Sequence, residues 1–404
     1  MPETQAASSN KLPDRLGDLS WPFWPAVPLY PYGRRRTLRT EVIKGTIWTF
    51  EQVQGILYVV VPIRMTVVKL EAGGFLVYAP VAPTPECLRL VNELVEAHGE
   101  IKYIILPTVS GIEHKVFVGP FARCFPNAQV FIAPDQWSFP LKLPLSWLGF
   151  PWRRTHILPE NSADTPFGDE FDYAILGPIN LGLGPFEEVA FLHRRSRTLL
   201  VTDTVISLTE NPPAIVQLDP YPLLFHAKDS AFDLVEDNAT NRQKGWQRTI
   251  LFSLYFRPSV LETVGFMEVV RNAFKAAERS RQAYFGLFPF RWKDNWEKSF
   301  EILRGGGRLL VAPILQTLIL NRAPKETIDW ANRVASWNFL RIIPCHFDSP
   351  IEVGSQQFCQ AFSFLEKNAA SDHTALPEVD FEFLREIEES LCKRGITLPS
   401  QEKV

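Results

Sequence analysis

The sequence is poor in cysteine and has no strong charge of either sign. Its 404 residues include five cysteines with no C-x-x-C spacing. This odd and scattered set argues against a disulfide framework or a thiolate zinc site, and it favours a reducing compartment. The formal net charge of −3 argues against general nucleic-acid binding, which needs a basic face.

Long apolar runs are also missing. The first twenty residues lack the apolar stretch of a secretory signal. The longest apolar run, Leu309–Leu320, is interrupted by Pro313 and Gln316, and it is too short to span a bilayer. The sequence therefore predicts no transmembrane segment.

Proline and tryptophan are abundant instead. The chain has 33 prolines and 11 tryptophans, and 12% of its residues are aromatic. Because proline is excluded from helix interiors and central strands, this composition predicts many ordered, aromatic-lined loops. In other respects the composition, with 46% apolar and 22% charged residues, is typical of a soluble globular protein. The length allows one large or two modest domains.

A proline-rich segment follows the polar N-terminal tail, and the two together form a predicted unit over residues 1–40. Its prolines recur at every third position, which matches the three-residue turn of polyproline II: Pro22, Pro25, Pro28 and Pro31. Four arginines follow between 34 and 39. We expect this strap to lie across the body of the protein. The alternative is that residues 21–39 dock a partner protein or an anionic membrane surface.

The remaining pattern predicts an α/β layered fold. Residues 45–78 are rich in β-formers, a helix is expected near 85–98, and a buried strand at Ile101–Leu106. The long Pro- and Trp-rich stretch at 134–168 predicts a lid or a packed loop. Residues 208–304 are predicted to be an inserted, mainly helical segment, with helices at Thr249–Phe256 and Val260–Arg279.

Four short segments resemble the metal-binding motifs of the metallo-β-lactamase superfamily. The first, Thr108-Val109-Ser110-Gly111-Ile112-Glu113-His114, follows a predicted strand where the family has Thr-His-x-His-x-Asp-His. Gly182-Leu183 stands where the family has Gly-His. The third segment ends in Asp203, which matches the family's Gly-Asp, and Arg341-Ile342-Ile343-Pro344-Cys345-His346 ends in the late histidine.

This resemblance implies an αββα sandwich with metal ligands at one edge of its two sheets. It further implies that one family metal site is lost, since Val109, Gly111 and Leu183 replace its histidines. The other site keeps a counterpart at every position: Glu113, His114, Asp203 and His346. Two imidazoles and two carboxylates suit one divalent metal such as Zn, Fe or Mn.

A metal-free arrangement is the competing hypothesis. In that case the same four side chains form a rearranged polar cluster, since a lone histidine is more often a hydrogen-bonding group. Glu187 and Glu188, which follow Leu183, could supply a replacement acid or base, although solvation at a strand end is the default expectation. Cys345, beside His346, is expected to be a buried inert thiol.

The resemblance also places the sandwich along the chain. Its first half is expected at 41–207 and its second half at 305–372, with the helical insertion at 208–304 between them and a C-terminal helix and tail at 373–404. Phrases such as LGPFEEVAFLH and RIIPCH resemble an uncharacterised domain-of-unknown-function family of cyanobacteria and plant plastids. This implies a cyanobacterial cytoplasm or a plastid stroma, with a peripheral position on the thylakoid membrane as a further option.

Two functions follow as hypotheses. The first is a single-metal hydrolase of an ester, thioester, amide or phosphodiester, with Glu113, His114, Asp203 and His346 at the metal and Trp137, Trp147 and Trp152 as an apolar wall over a small-molecule substrate. The second is a non-catalytic scaffold or assembly factor that binds a partner protein or a membrane surface. Neither hypothesis involves nucleic acid.

Overall fold

The structure, a computed structural model, describes residues 16–23, 25, 28–110, 113–139, 141–367 and 376–404. Its strands are β1 Leu38–Ile43, β2 Ile47–Ile56, β3 Val59–Lys69, β4 Phe75–Tyr78, β5 Ile101–Leu106, β6 Gln129–Ile132, β7 Thr155–Ile157, β8 Phe171–Asn180, β9 Pro185–His193, β10 Thr198–Val201, β11 Leu261–Thr263, β12 Phe290–Trp292 and β13 Arg341–Pro344. Its α-helices are α1 Pro85–His98, α2 His114–Cys124, α3 Ala214–Gln217, α4 Tyr221–Ala227, α5 Ala239–Tyr255, α6 Phe266–Ala273, α7 Trp296–Arg304, α8 Pro313–Leu318, α9 Pro324–Ala335, α10 Ser355–Gln360 and α11 Glu382–Lys393.

Two sheets form the centre of the protein. The larger has seven strands in the order β1-β2-β3-β4-β5-β6-β7, antiparallel from β1 to β4 and parallel from β4 to β7. The smaller has the order β13-β10-β9-β8, with β10 and β13 parallel and the other pairs antiparallel. Because parallel strands need a crossover, α1 and α2 lie between successive parallel strands of the larger sheet.

The alternation of side chains along the strands builds three apolar layers. In β4, Leu76 and Tyr78 join a core between the two sheets, whereas Phe75 and Val77 face the opposite side. In the smaller sheet Phe191 belongs to the same central core as Leu76. Since successive residues of a strand point to opposite faces, each buried strand contributes to the central core and to one outer core.

Helices cover both outer faces. The outer core of the larger sheet contains Leu90 and Val91 of α1 and Phe117 of α2. The outer core of the smaller sheet contains Trp330 of α9 and Phe358 of α10. Helix, sheet, sheet and helix thus follow one another, and the predicted αββα sandwich is the observed architecture.

The residues between β10 and α8 contain five α-helices, α3 to α7, and the antiparallel strand pair β11–β12. The helix predicted over Val260–Arg279 is wrong at both ends, because Leu261–Thr263 forms an antiparallel strand pair with Phe290–Trp292 and the helix α6 ends at Ala273. Glycine at 265 separates this strand from α6. The helix expected at Thr249–Phe256 is the last part of the longer α5, whose N-terminus is capped by the Asn238 side chain.

The proline-rich strap contacts the body at two described points. Trp21 is buried against Phe117 of α2, with ring centroids 5.3 Å apart. Tyr30 is buried among the residues of the insertion, and its hydroxyl donates to Asp219. Phe23 and Tyr32 stay exposed, and positions 24, 26 and 27 of the strap lie outside the described residues. No helix in the described part of the chain has the length and apolar character needed to cross a membrane.

Candidate metal centre

Three strand ends meet at one edge of the sandwich. The parallel strands β10 and β13 end at Val201 and Pro344, which face each other in register. The carboxyl end of β5 leads to Thr108, which bridges across to Glu188 of the smaller sheet. The segments that follow these three strands therefore lie close together, and they carry the side chains that the sequence singled out.

The structure brings all four predicted residues together. His346 Nε2 lies 3.0 Å from Glu113 Oε2 and 3.1 Å from Asp203 Oδ1. The imidazole of His114 lies beside them, with its ring centroid 6.4 Å from that of His346. One ligand atom each from Glu113, His114 and His346 lies within 4.8 Å of the others. Asp203 and His346 are far in sequence from Glu113 and His114. Their proximity could therefore be predicted only from the fold that the resemblance implied.

Backbone carbonyls orient both imidazoles in the same way. His114 Nδ1 lies 3.1 Å from the carbonyl oxygen of Pro80, and His346 Nδ1 lies 3.0 Å from that of Pro62. A carbonyl only accepts hydrogen bonds, so each Nδ1 carries the proton and donates it. Each Nε2 is thereby directed at the cluster, which is how proteins orient histidine ligands of metals.

The two histidines differ in their Nε2 environment. His346 Nε2 contacts two carboxylates, whereas His114 Nε2 is buried without a hydrogen-bond partner among the described residues. An imidazole nitrogen that is buried and unpaired costs free energy unless something occupies its lone pair. His114 is the first residue of α2, so the helix fixes its position.

The charges of the cluster are mutually dependent. Burial lowers the pKa of His114, and the attraction of Glu113 does not fully offset it. Burial would also lower the pKa of His346, but Glu113 and Asp203 together raise it well above the usual range. Burial raises the pKa of Glu113, yet His346 outweighs burial and lowers that pKa to about 2. A positive charge between the Glu113 and Asp203 carboxylates therefore stabilises both of them.

A buried carboxylate holds the Asp203 turn in place. Glu188 accepts hydrogen bonds from the backbone N–H groups of Thr202, Asp203 and Thr204 at 2.8–2.9 Å, and from the Thr204 hydroxyl at 2.7 Å. Glu188 is fully buried, so the expectation of a solvated strand end is wrong for it. The register of β9 against β10 places Glu188 directly under this turn, a relation that the sequence alone did not indicate.

A buried arginine holds the His346 turn in a comparable way. Arg64 of β3 donates to the carbonyl oxygens of Pro344 and Phe347, which lie on either side of His346, the latter at 2.7 Å. Its other contacts are to the Glu51 carboxylate at 2.5 and 2.8 Å. Since a guanidinium presents its donors in a fixed plane, Arg64 ties β13 of one sheet to β3 of the other.

The residues that replace the second family site build no comparable cluster in the described part of the chain. Val109 is buried and apolar, Leu183 is 57% exposed, and Gly111 is outside the described residues. Trp137 fills the space beside Gly184, where an added Cβ would lie 2.3 Å from the indole. Lys115 donates to the Trp137 carbonyl at 2.7 Å and secures this arrangement.

The donor set fits one divalent metal. In a tetrahedral site with bonds of about 2.0–2.2 Å, ligand atoms lie about 3.3–3.6 Å apart. The contacts of His346 at 3.0 and 3.1 Å are slightly shorter than this, and the ligand atoms of Glu113, His114 and His346 lie within 4.8 Å of one another. Asp203 joins this group through its contact with His346. Glu113 and Asp203 keep 23% and 20% of their side-chain surface exposed and form the open side.

Comparisons with solved structures find similarities at low sequence identity. The chain is similar to the metallo-β-lactamase DIM-1, with 10% identity, a TM-score of 0.38, and coverage of 81% of this chain and 96% of that one. It is similar to the Flv1 flavodiiron core of Synechocystis, with 11% identity, a TM-score of 0.40, and coverage of 81% and 60%. It is also similar to a metallo-β-lactamase of Pontibacter korlensis, with 14% identity, a TM-score of 0.31, and coverage of 44% of this chain and 76% of that one. No curated protein matches the sequence.

One family accounts for most of the chain. The family model described as "Domain of unknown function (DUF4336)" matches residues 44–364. That span runs from β2 through the candidate metal centre and the insertion to the helices that follow β13. The chain therefore belongs to the DUF4336 family, and its fold is an αββα sandwich.

Proposed function

We propose that this protein is a hydrolase that binds one divalent transition metal through Glu113, His114, Asp203 and His346. The observation that carries the proposal is the buried Nε2 of His114, which is aimed at the cluster and has no hydrogen-bond partner among the described residues. A metal accounts for that atom, and it also supplies the positive charge that the two carboxylates require.

A metal bound there would polarise a carbonyl or phosphoryl oxygen and lower the pKa of a water molecule. The chain's own residues would prepare the site. Glu188 would hold the Asp203 turn and Arg64 the His346 turn, so that the ligands need little reorganisation. The open side, at Glu113 and Asp203, would admit the substrate. Esters, thioesters, amides and phosphodiesters all present an oxygen that such a site can polarise.

Metal content tests the site directly. The full chain would be purified without chelator, analysed for Zn, Fe and Mn, and compared with the variants His114→Ala and His346→Ala. We expect about one equivalent of metal in the wild-type protein and less than about a tenth in either variant. The matched control is His156→Ala, because His156 is an exposed histidine on β7, away from the cluster. This control should keep the wild-type metal content.

The hydrolase part needs a separate measurement. Chromogenic esters, a thioester and a phosphodiester would be tested with wild-type protein, with the control and with His346→Ala, each loaded with the metal found. We expect the His346 variant to lose at least about a hundredfold in kcat/KM. Metal below a tenth of an equivalent in the wild-type protein, or an unchanged kcat/KM in His346→Ala, would contradict the proposal.

A second candidate function rests on the direct contacts of His346. A protonated His346 between Glu113 and Asp203 already satisfies both carboxylates without a metal. In this alternative the cluster is a structural ion-pair group, and the protein is a scaffold or assembly factor for a partner. It predicts that wild-type protein contains no stoichiometric metal, and that added zinc does not raise its melting temperature. Stabilisation by zinc in the wild-type protein and not in His114→Ala would count against it.

A further inference from the structure

The loop between β6 and β7 exposes four large apolar side chains. Phe139, Leu141, Trp147 and Trp152 keep between 68% and 77% of their surface accessible. Scattered single apolar residues on a surface need no explanation, but four within fourteen positions of one loop do. Two of the four are tryptophans, which favour the boundary between water and lipid because the ring is apolar and its N–H is polar.

The loop holds these side chains outward through short local turns. The Ser138 hydroxyl donates to the Leu141 carbonyl at 2.5 Å and accepts from the Leu143 N–H at 2.9 Å. In the next turn the Trp147 N–H bonds to the carbonyl of Pro144. These turns restrain the backbone that carries Leu141 and Trp147, so less backbone ordering would be required on binding.

The opposite side of the loop is anchored along α2. Leu145, Leu148 and Phe150 pack into the outer core of the larger sheet. Gly149 lies against Gly119, where an added Cβ would meet the Gly149 carbonyl at 2.3 Å. At the far end, Arg154 donates to the carbonyl of Ala122 at 2.6 Å. Residues 145–152 thus have an apolar inner side packed on the larger sheet's outer core and expose Trp147 and Trp152 outward.

The charge around this outer side is positive. Residues 136–159 contain Lys142, Arg153 and Arg154 and no aspartate or glutamate. Lys142 and Arg153 are exposed, and the Arg153 guanidinium lies 4.7 Å from the centroid of the Trp152 ring. Arginine and lysine beside exposed indoles complement the phosphate groups of anionic lipids. The absence of aspartate and glutamate from residues 136–159 favours an anionic membrane over a protein partner, because a protein surface can also bind carboxylates.

We infer that the 138–153 loop is a membrane-docking surface that inserts Phe139, Leu141, Trp147 and Trp152 into the interface of an anionic lipid bilayer. The loop begins beside the metal centre, since Lys115, the neighbour of His114, bonds to Trp137. Docking would therefore bring the open side of that site close to the membrane surface. The inference does not depend on a metal being bound.

Cosedimentation with vesicles tests the docking surface. Full-length protein would be mixed with phosphatidylcholine vesicles that contain phosphatidylglycerol, and with vesicles of phosphatidylcholine alone. We expect binding to the anionic vesicles that weakens in high salt, because exposed charges are screened. The double variant Trp147→Ser/Trp152→Ser should bind at least about tenfold more weakly, a change that corresponds to about 1.4 kcal/mol.

A second exposed apolar face offers the matched control. Phe266 and Phe274 of the α6 region are 77% and 74% exposed, as much as the two tryptophans, but the residues between them carry one acidic and one basic side chain, Glu268 and Arg271, and so no net charge. The variant Phe266→Ser/Phe274→Ser should bind anionic vesicles as the wild-type protein does. Brominated lipids should quench tryptophan fluorescence in the wild-type protein and in this control, and much less in the double tryptophan variant.

Three outcomes would overturn the inference. They are the absence of wild-type binding to anionic vesicles, full binding by the tryptophan variant, and loss of binding in the α6 variant instead. The first would leave the loop to a protein partner. Circular dichroism of each variant separates lost docking from lost folding. Because the metal variants of the proposed function keep this loop intact, failure of that function would leave vesicle binding unchanged.

Discussion

At the scale of single residues, burial raises the pKa of two adjacent glutamates, although both accept hydrogen bonds. Glu188 accepts four hydrogen bonds from the 202–204 turn. Glu187 accepts a backbone hydrogen bond from Asp135 at 3.0 Å and is also buried. Burial raises the pKa of Glu187 to about 7, since the backbone hydrogen bond from Asp135 opposes burial only in part and the Asp135 carboxylate raises the pKa further. Its neighbour Glu188 serves as a positioning group for the 202–204 turn.

The pH dependence of stability should reveal Glu187. Its pKa is higher in the folded chain, at about 7, than in the unfolded chain, near 4.5, so its contribution is most favourable below 4.5 and is lost as the pH rises through 7. Glu187→Gln stays neutral and should be more stable than wild type by about 1–2 kcal/mol above pH 8. Below about pH 4.5 the two should be equal. Urea unfolding across this range measures the difference, and a constant difference at all pH values would refute the assignment.

At the scale of elements, the pattern of strands and helices predicted an α/β layered fold, and the resemblance of four motifs to the metallo-β-lactamase superfamily implied the sandwich and the edge at which the four side chains meet. Strands such as Ile101–Leu106 are short apolar runs between polar turns, which is what a buried strand requires. The β11–β12 strand pair was not predicted, because each strand has three residues and paired residues are about thirty positions apart in sequence. Local periodicity contains no information about such a distant partner.

The same limit applies to the positioning residues of the site. Glu113, His114, Asp203 and His346 could be selected because they stand in recognisable motif positions. Arg64 stands in no motif, and its role depends on contacts with Pro344 and Phe347 on another sheet. A charged residue within the apolar strand β3 was the one available signal, since a buried arginine needs partners.

Arg64 should therefore matter beyond its charge. Arg64→Lys keeps the positive charge but loses the planar set of donors, and it should lower the free energy of unfolding by about 2–4 kcal/mol. Arg89→Lys is the control, because the Arg89–Glu93 pair is exposed on α1 and should change stability by less than about 0.5 kcal/mol. Urea unfolding measures both. Equal effects of the two substitutions would show that Arg64 does not hold the β13 end.

At the scale of the whole molecule, one apolar core joins segments that are far apart in sequence. It contains Tyr30 of the strap, Val60 of β3, Trp246 of the insertion, Leu310 before α8 and Leu384 of α11. The predicted segments 1–40, 208–304 and 373–404 all contribute to it. Prolines and aromatic residues, which are unusually frequent, thus attach the strap and the insertion to the sandwich and also form the exposed loop beside it. The insertion and the strap are therefore expected to unfold together with the sandwich.

Tyr30 is the residue that can test this cooperation. Its ring centroid lies 5.3 Å from that of Tyr58 in the β2–β3 turn, and its hydroxyl donates to Asp219 of the insertion. Tyr30→Ala should lower the stability of the whole chain by about 3–5 kcal/mol, and Tyr30→Phe by about 1–2 kcal/mol, since the latter removes only the hydrogen bond. Phe23→Ala, half-exposed on the same strap, should cost less than about 1 kcal/mol. Tryptophan fluorescence and far-ultraviolet circular dichroism should give coincident unfolding curves in every variant. If Tyr30→Ala instead separated the two curves, the strap and insertion would form a unit that unfolds on its own, and the shared core would not couple them to the sandwich.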